Sequence, residues 1–342
     1  MRNHNPRNER IKRKYYDWLV ETSGRGDTTI DQVSSSIDRF EVYAKYADFG
    51  SFNIERVKAF KVQLVDQVSV QTKGHLSHAT VYSTLNALRL FFRWLAGQRG
   101  YKQSFAFGDW DYFRPKGLTA SIAKAHRPSR APTVPEIRRV VQLMPSSTEI
   151  ERRDRAVVAF LAITAARVSA VASFQLVHVN AERRVVFQDA RVVRTKFGKT
   201  FETWFFPVAE ELEQIVVDWV RYLLNEKRWE AKDPLFPRTR IAVRESGQFG
   251  TDGFERSPWT STGPIRAILR DAFGRAGLRY SNPHSFRETI AAFGRDNCKD
   301  MASMQAWSQN LGHESMTTTF GSYGKVSAQQ QEKLVRGVGV SN

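Results

Sequence analysis

Across residues 11–97 apolar side chains return every three or four positions, the period of a helix with one buried face. The clearest stretch sets Val81, Leu85, Leu88, Phe92 and Leu95 on one stripe, with Ser77 or Thr80 as its cap and Gly97 and Gly100 as its stop. Residues 30–46 and 54–68 follow the same rule, so 16–112 is predicted to be a small helical bundle. Periodicity then disappears over 113–132, where Pro115, Gly117, Pro128 and Pro132 mix with basic residues, the composition of a linker. Thr133 and Glu136, three apart before Ile137, Val140, Val141 and Leu143, form a capping box that opens a second domain, 133–342. There a helical run over 153–174 precedes short β-rich pieces at 185–187, 192–194 and 203–206, which predict a small antiparallel sheet. Helix returns over 210–224, the polar, Gly- and Pro-rich segment 230–263 is predicted to be a loop insertion, and helices resume at Pro264. The expected fold class is mainly α with a small antiparallel β-sheet, divided between two domains.

Charge narrows the partners. The chain carries 52 Lys and Arg against 35 Asp and Glu, a formal charge of +17, which favours a polyanion: DNA, RNA or an anionic membrane surface. No stretch reaches the length of a membrane span and no amphipathic lipid-binding pattern stands out, which turns the expectation toward nucleic acid. Residues 1–15 are polar and basic, with Arg2, Arg7, Arg10, Lys12, Arg13 and Lys14. They read as an arm, either a solvated terminus or a DNA-gripping tail, and lack the apolar core of a signal peptide. Cys298 is the one cysteine, which excludes an intramolecular disulfide and a cysteine-based zinc site and fits a reducing cytosol. His75 and His78 stand three apart without companion carboxylates, so no metal site is expected there.

The chemistry gathers in the second domain. Thr164-Ala165-Ala166-Arg167 ends an apolar helix, His284-Ser285-Phe286-Arg287 follows more than a hundred residues later, and Leu311-Gly312-His313 precedes Tyr323. In this order the motifs resemble those of the tyrosine recombinases of the phage integrase family: a first arginine box, a His-x-x-Arg box, a Leu-Gly-His box and a nucleophilic tyrosine. The family's lysine, in the turn between the second and third strands of its sheet, is matched by Lys196, with Lys199 as the alternative. Two positions depart from the pattern. Ala170 stands where many members carry an acidic residue, and Tyr323 lies ten residues beyond His313 where nine is usual, with Ser322 at the shorter spacing.

The residue types suit phosphoryl transfer on their own terms. Attack on a phosphodiester spreads negative charge over the non-bridging oxygens, and the guanidinium forks of Arg167 and Arg287 can each donate paired hydrogen bonds to them. A phenol with an ordinary pKa of about 10 needs a proton acceptor, a role open to His284, while Lys196 can protonate the departing 5′-oxygen and His313 can donate to the phosphate. The resemblance implies catalysis by Arg167, Lys196, His284, Arg287, His313 and Tyr323 through a 3′-phosphotyrosine, with no metal, ATP or other cofactor. DNA contacts are expected from Arg89, Arg93, Arg114, Lys116, Arg127, Arg130 and Lys199. It further implies a C-shaped clamp on double-stranded DNA, a homotetramer on two recombination sites formed from monomers in free solution, a tail over 326–342 packed on a neighbour, and a place in the prokaryotic cytoplasm at the nucleoid. The expected activity is integration, excision or transposition of a mobile element. The alternatives are an accessory DNA-binding protein that keeps the fold without catalysis, and a resolvase- or topoisomerase-like strand transferase.

Overall fold

The aromatic stripe of the first domain folds as its spacing demands. In the computed structural model, which describes residues 4–23, 27–69, 73–115, 117, 130–195, 198–243, 247–317, 319, 331–332 and 335–336, the chain divides into two units, Met1–Pro128 and Ser129–Asn342. The first unit holds α1 (Pro6–Ser23), α2 (Asp27–Tyr43), α3 (Ile54–Asp66) and α4 (His78–Leu95). Ser77 caps α4, its hydroxyl accepting from the Thr80 backbone N–H. Val81, Leu85, Leu88, Phe91, Phe92 and Leu95 turn inward against Ile37, Phe40, Val57, Phe60 and Leu64. Phe92 sits at the centre, edge-on to Phe40 at 5.4 Å and stacked on Phe113 at 4.9 Å. Phe113, expected at the start of the linker, is thereby part of this core. The remainder of the expected linker falls largely on residues outside those described, Lys116 and Arg127 among them.

The basic arm expected over 1–15 is helical from Pro6 onward. Ile11, Tyr15 and Leu19 lie at i, i+4, i+8 and are buried. Lys12, also buried, is neutralised by Glu9 at 2.7 Å, Glu41 at 2.7 Å and Asp38 at 3.3 Å. The density of charge hid a narrow apolar stripe, and residues 6–15 form half of a packed helix.

The second unit opens on the capping box read from the sequence: the Thr133 hydroxyl accepts from Glu136 N–H, and the Glu136 carboxylate accepts from Thr133 N–H. Helix α5 (Val134–Gln142) leads to α6 (Glu149–Thr164), almost wholly buried and capped by a second box, Thr148 with Glu151. The long run expected over 153–174 breaks at Ala165, which takes a left-handed conformation with φ of 49°. A short α7 (Val168–Val171) follows, with Arg167 at its N-cap.

Strands β1 (Val179–Asn180), β2 (Val185–Gln188) and β3 (Phe201–Trp204) form an antiparallel meander with Val179 opposite Val186 and Gln188 opposite Phe201. The piece expected as a strand at 192–194 is a turn. The Asp189 carboxylate accepts from Arg191 N–H and its carbonyl accepts from the N–H of Val192 and Val193, which takes the chain out of the sheet.

Helix α8 (Glu210–Arg221) runs on into a π turn, Tyr222–Glu226. The segment expected as a loop insertion is a two-stranded hairpin, β4 (Pro237–Val243) with β5 (Phe249–Pro258). Its pairing is carried by charges, Arg238 with Glu255 at 3.0 Å and Arg240 with Asp252 at 2.8 Å, so the alternation of apolar and polar residues that marks a half-buried strand is missing. Helices α9 (Gly263–Arg275), α10 (Pro283–Asn297) and α11 (Met301–Asn310) complete the unit. Among the described residues no helix is long and apolar enough to cross a membrane.

Candidate active site

Three chain segments meet on a small apolar cluster separate from the main core: Ala165 after α6, Ile290 and Ala291 in α10, and Leu311 after α11, joined by Phe206. Each carries a predicted site residue next to it. Ala165 precedes Arg167 by two positions, Ile290 lies nearly one helical turn after Arg287, and Leu311 precedes His313 by two. The local sequence sets each approach. The left-handed Ala165 turns the chain at the end of α6, and the Thr164 hydroxyl accepts from Ala166 N–H to hold that turn. Asn282 caps α10 by accepting from the N–H of His284 and Ser285, with Pro283 in the first turn. Gly312, at φ of 72°, supplies the left-handed step after α11, and its Cα faces the Phe201 ring so closely that a Cβ would stand 2.5 Å from it.

Arg287 is only 3% exposed. Its Nη1 donates to the Ala165 carbonyl at 2.6 Å and its Nη2 to the Leu311 carbonyl at 2.7 Å, so one guanidinium ties the first arginine box to the Leu-Gly-His box. The same Nη2 lies 2.9 Å from His313 Nε2, and His313 Nδ1 lies 2.7 Å from the Thr319 hydroxyl. Burial pushes the imidazole down to a pKa of about 4, and the charges of Arg287, Arg167, His284 and Lys199 push in the same direction. His313 is thus a neutral ring in a strongly positive pocket. Arg167 is half-buried and His284 is exposed at the start of α10. Lys199 pairs with Glu314, whose carboxyl it holds below the usual range. Lys196 and Tyr323 lie outside the described residues.

The residues predicted to touch DNA fall into separate groups. In the first unit Arg89 Nε donates to Asp111 at 2.6 Å and Arg114 approaches the same carboxylate at 3.6 Å. The Arg89 hydrogen bond, with the charges of Arg89, Arg114 and the exposed Arg93, lowers the Asp111 pKa. Three arginines therefore crowd one carboxylate and leave an excess of positive charge on that face. In the second unit Arg130 pairs with Glu136 at 3.2 Å. The sequence reading missed Asp111, Glu314, Thr319 and Ser308. An acid among arginines and hydroxyls in the run before Tyr323 were visible, but nothing in their spacing said which would turn inward. Among the described residues no group of three or more His, Cys, Asp or Glu side chains comes together as a metal site would require.

A cluster of positive side chains about a buried neutral histidine, on a helical domain with a three-stranded sheet, is an arrangement able to hold an anion such as a phosphate. Residues 133–330 match the phage integrase family, and the chain belongs to that family, the tyrosine recombinases, which are DNA-recombining enzymes. It is similar to the tyrosine recombinase XerC of Corynebacterium efficiens, 25% identical over 312 residues covering 89% of this chain and 83% of that protein. XerC of Histophilus somni is 24% identical over 314 residues, 90% of each chain. Among solved structures, a lambda integrase dimer bound to a COC′ core site aligns with a TM-score of 0.61 at 15% identity, covering 94% of this chain and 96% of that one. The integrase of the Tn1549 transposon, in complex with transposon right end DNA, aligns with a TM-score of 0.59 at 14% identity, covering 96% and 99%.

Proposed function

We propose that the protein is a site-specific recombinase in which Tyr323 attacks a DNA phosphodiester, holds the cut strand as a 3′-phosphotyrosine and passes it to a new 5′-hydroxyl, so moving a mobile element. One observation carries this reading: Arg287 and His313 touch in one pocket that the charges of Arg167, His284 and Lys199 also reach, and its wall residue Thr319 stands four positions before Tyr323. In this scheme Arg167 and Arg287 bind the non-bridging oxygens and stabilise the charge that grows on them. His284 accepts the phenolic proton, and Lys196 or Lys199 returns one to the departing 5′-oxygen. The phosphoryl group stays an ester throughout, which is why the step reverses without an external energy source.

The lambda integrase dimer on a core site, the Tn1549 integrase on transposon DNA and a lambda integrase tetramer bound to a Holliday junction support duplex DNA as partner and a tetramer as the working assembly. The scheme has both units, joined through the basic linker, bind the duplex, and it places the enzyme at the nucleoid of a prokaryotic cytoplasm. Arg89, Arg93 and Arg114 face the DNA backbone in this reading, with Asp111 restraining them. Asp111→Asn is then expected to strengthen non-specific DNA binding and to steepen the log–log salt dependence by about 0.9, one additional phosphate contact. Titrations at graded salt measure it, and an unchanged slope removes this face from the interface.

The central reading is tested with nicked suicide duplexes tiled across the DNA flanking the protein's own coding sequence. A protein–DNA band that survives denaturing electrophoresis is expected, with the DNA on a peptide containing Tyr323. Binding without any such band makes the protein an accessory factor, and an adduct on another residue removes Tyr323 as nucleophile.

A further inference from the structure

Behind His313 the structure holds a chain of hydroxyls. Thr319 Oγ1, 2.7 Å from His313 Nδ1, is also 2.7 Å from Ser308 Oγ, which in turn lies 3.4 Å from the Ser315 carbonyl oxygen. Thr319 and Ser308 are fully buried. The direction of this chain follows from its front end. A guanidinium only donates, so at the 2.9 Å contact with Arg287 the Nε2 atom of His313 accepts and its proton sits on Nδ1. Nδ1–H therefore donates to Thr319, Thr319 to Ser308, and Ser308 to the Ser315 carbonyl.

A phosphate oxygen in the pocket asks for the opposite arrangement. It accepts only, so Nε2 must carry the proton and Nδ1 must accept. A carboxylate behind the ring would fix the proton on Nδ1, whereas hydroxyls donate or accept as required. Rotation of two O–H bonds reverses the chain, with Ser308 donating to Thr319 and Thr319 to Nδ1. The exchange takes a proton from water at Nε2 and returns one from Nδ1, leaving the ring neutral.

We propose that Thr319 and Ser308 are positioning residues that hold the His313 ring in place and let it change tautomer, from an acceptor for Arg287 in the free enzyme to a donor for the phosphate. The idea rests on the recombinase reading for its consequence, and it also ties the segment leading to Tyr323 to the state of the pocket. Among the described residues, Arg287, Arg167 and Lys199 face the ring with positive charge and can only donate, so none of these three competes with the hydroxyls as an acceptor.

Two measurements decide it. In full-length protein labelled with 15N-histidine, with His313 assigned by its loss in His313→Gln, the nitrogen shifts are expected to show the proton on Nδ1, moving to Nε2 as inorganic phosphate saturates the pocket. A proton on Nε2 in the phosphate-free protein overturns the relay. On a suicide duplex that the wild type attacks, Thr319→Val is expected to lower the single-turnover cleavage rate of the saturated enzyme by roughly ten- to a hundredfold, as for partners behind other functional histidines, with DNA affinity unchanged. Thr319→Ser should restore most of that rate. Cleavage by Thr319→Val at the wild-type rate, or no recovery in Thr319→Ser, overturns the proposal. If the tautomer changes as expected while the wild type forms no adduct, the relay stands and the recombinase reading fails.

Discussion

Arg287→Ala is expected to lower the rate of strand cleavage by roughly a hundred- to a thousandfold, the usual cost of removing one preorganised donor to a developing anion. The same substitution should destabilise the second unit by about 3 kcal/mol, within the range for breaking a buried charged hydrogen-bond network. The reason is structural. The buried carbonyl contacts of Ala165 and Leu311 each lose a charged donor, and His313 loses the partner of its Nε2 atom. Arg287→Lys separates the two effects, because a lysine can neutralise charge but cannot span two carbonyls and a phosphate with one planar group. Chemical denaturation and single-turnover cleavage, run on both variants, should show stability partly recovered in the lysine variant while the rate stays low. A lysine variant that cleaves at the wild-type rate would mean that Arg287 serves only to fasten the fold.

The second large effect concerns pH. His313 titrates near 4 in the folded protein and near 6.5 in an unfolded chain. Between those values the unfolded state binds a proton that the folded state refuses, so the contribution of this residue to stability is complete above about pH 6.5 and is lost as pH falls toward 4. The shift corresponds to a loss on the order of 3 kcal/mol. His178, buried and also lowered, adds in the same direction, so the measurement is a comparison. Unfolding free energies of wild type and His313→Gln between pH 4 and 7.5 should show the shallower dependence in the variant. Parallel curves would place the His313 pKa near its ordinary value. Bound DNA should raise the midpoint, since a phosphate beside the ring favours its charged form.

Much of this molecule could be read from residue order, and the exceptions share a cause. The stripe of α4 and the capping box at Thr133 rest on local spacing, which the fold obeys. The hairpin of β4 and β5 was missed because its cross-strand pairs are ionic and leave no apolar alternation. The turn at residues 191–194 was mistaken for a strand because Val192 and Val193 favour β structure while Asp189, nearby, gathers their N–H groups. At the site, the motifs announced Arg167, His284, Arg287 and His313, since each carries its own short pattern. Thr319 and Ser308 have no pattern. Their importance arises only when α11 and the segment after it fold against each other, a fact of tertiary structure.

The grip of Arg287 on the Ala165 carbonyl joins positions 122 apart in the chain. In the recombinase reading Arg287 is the phosphate-binding fork, and its hydrogen bonds need Ala165, Arg287 itself and the Leu311–His313 segment all to have been synthesised. Synthesis order would then act as a safety catch, because a polypeptide that ends before His313 lacks the assembled pocket.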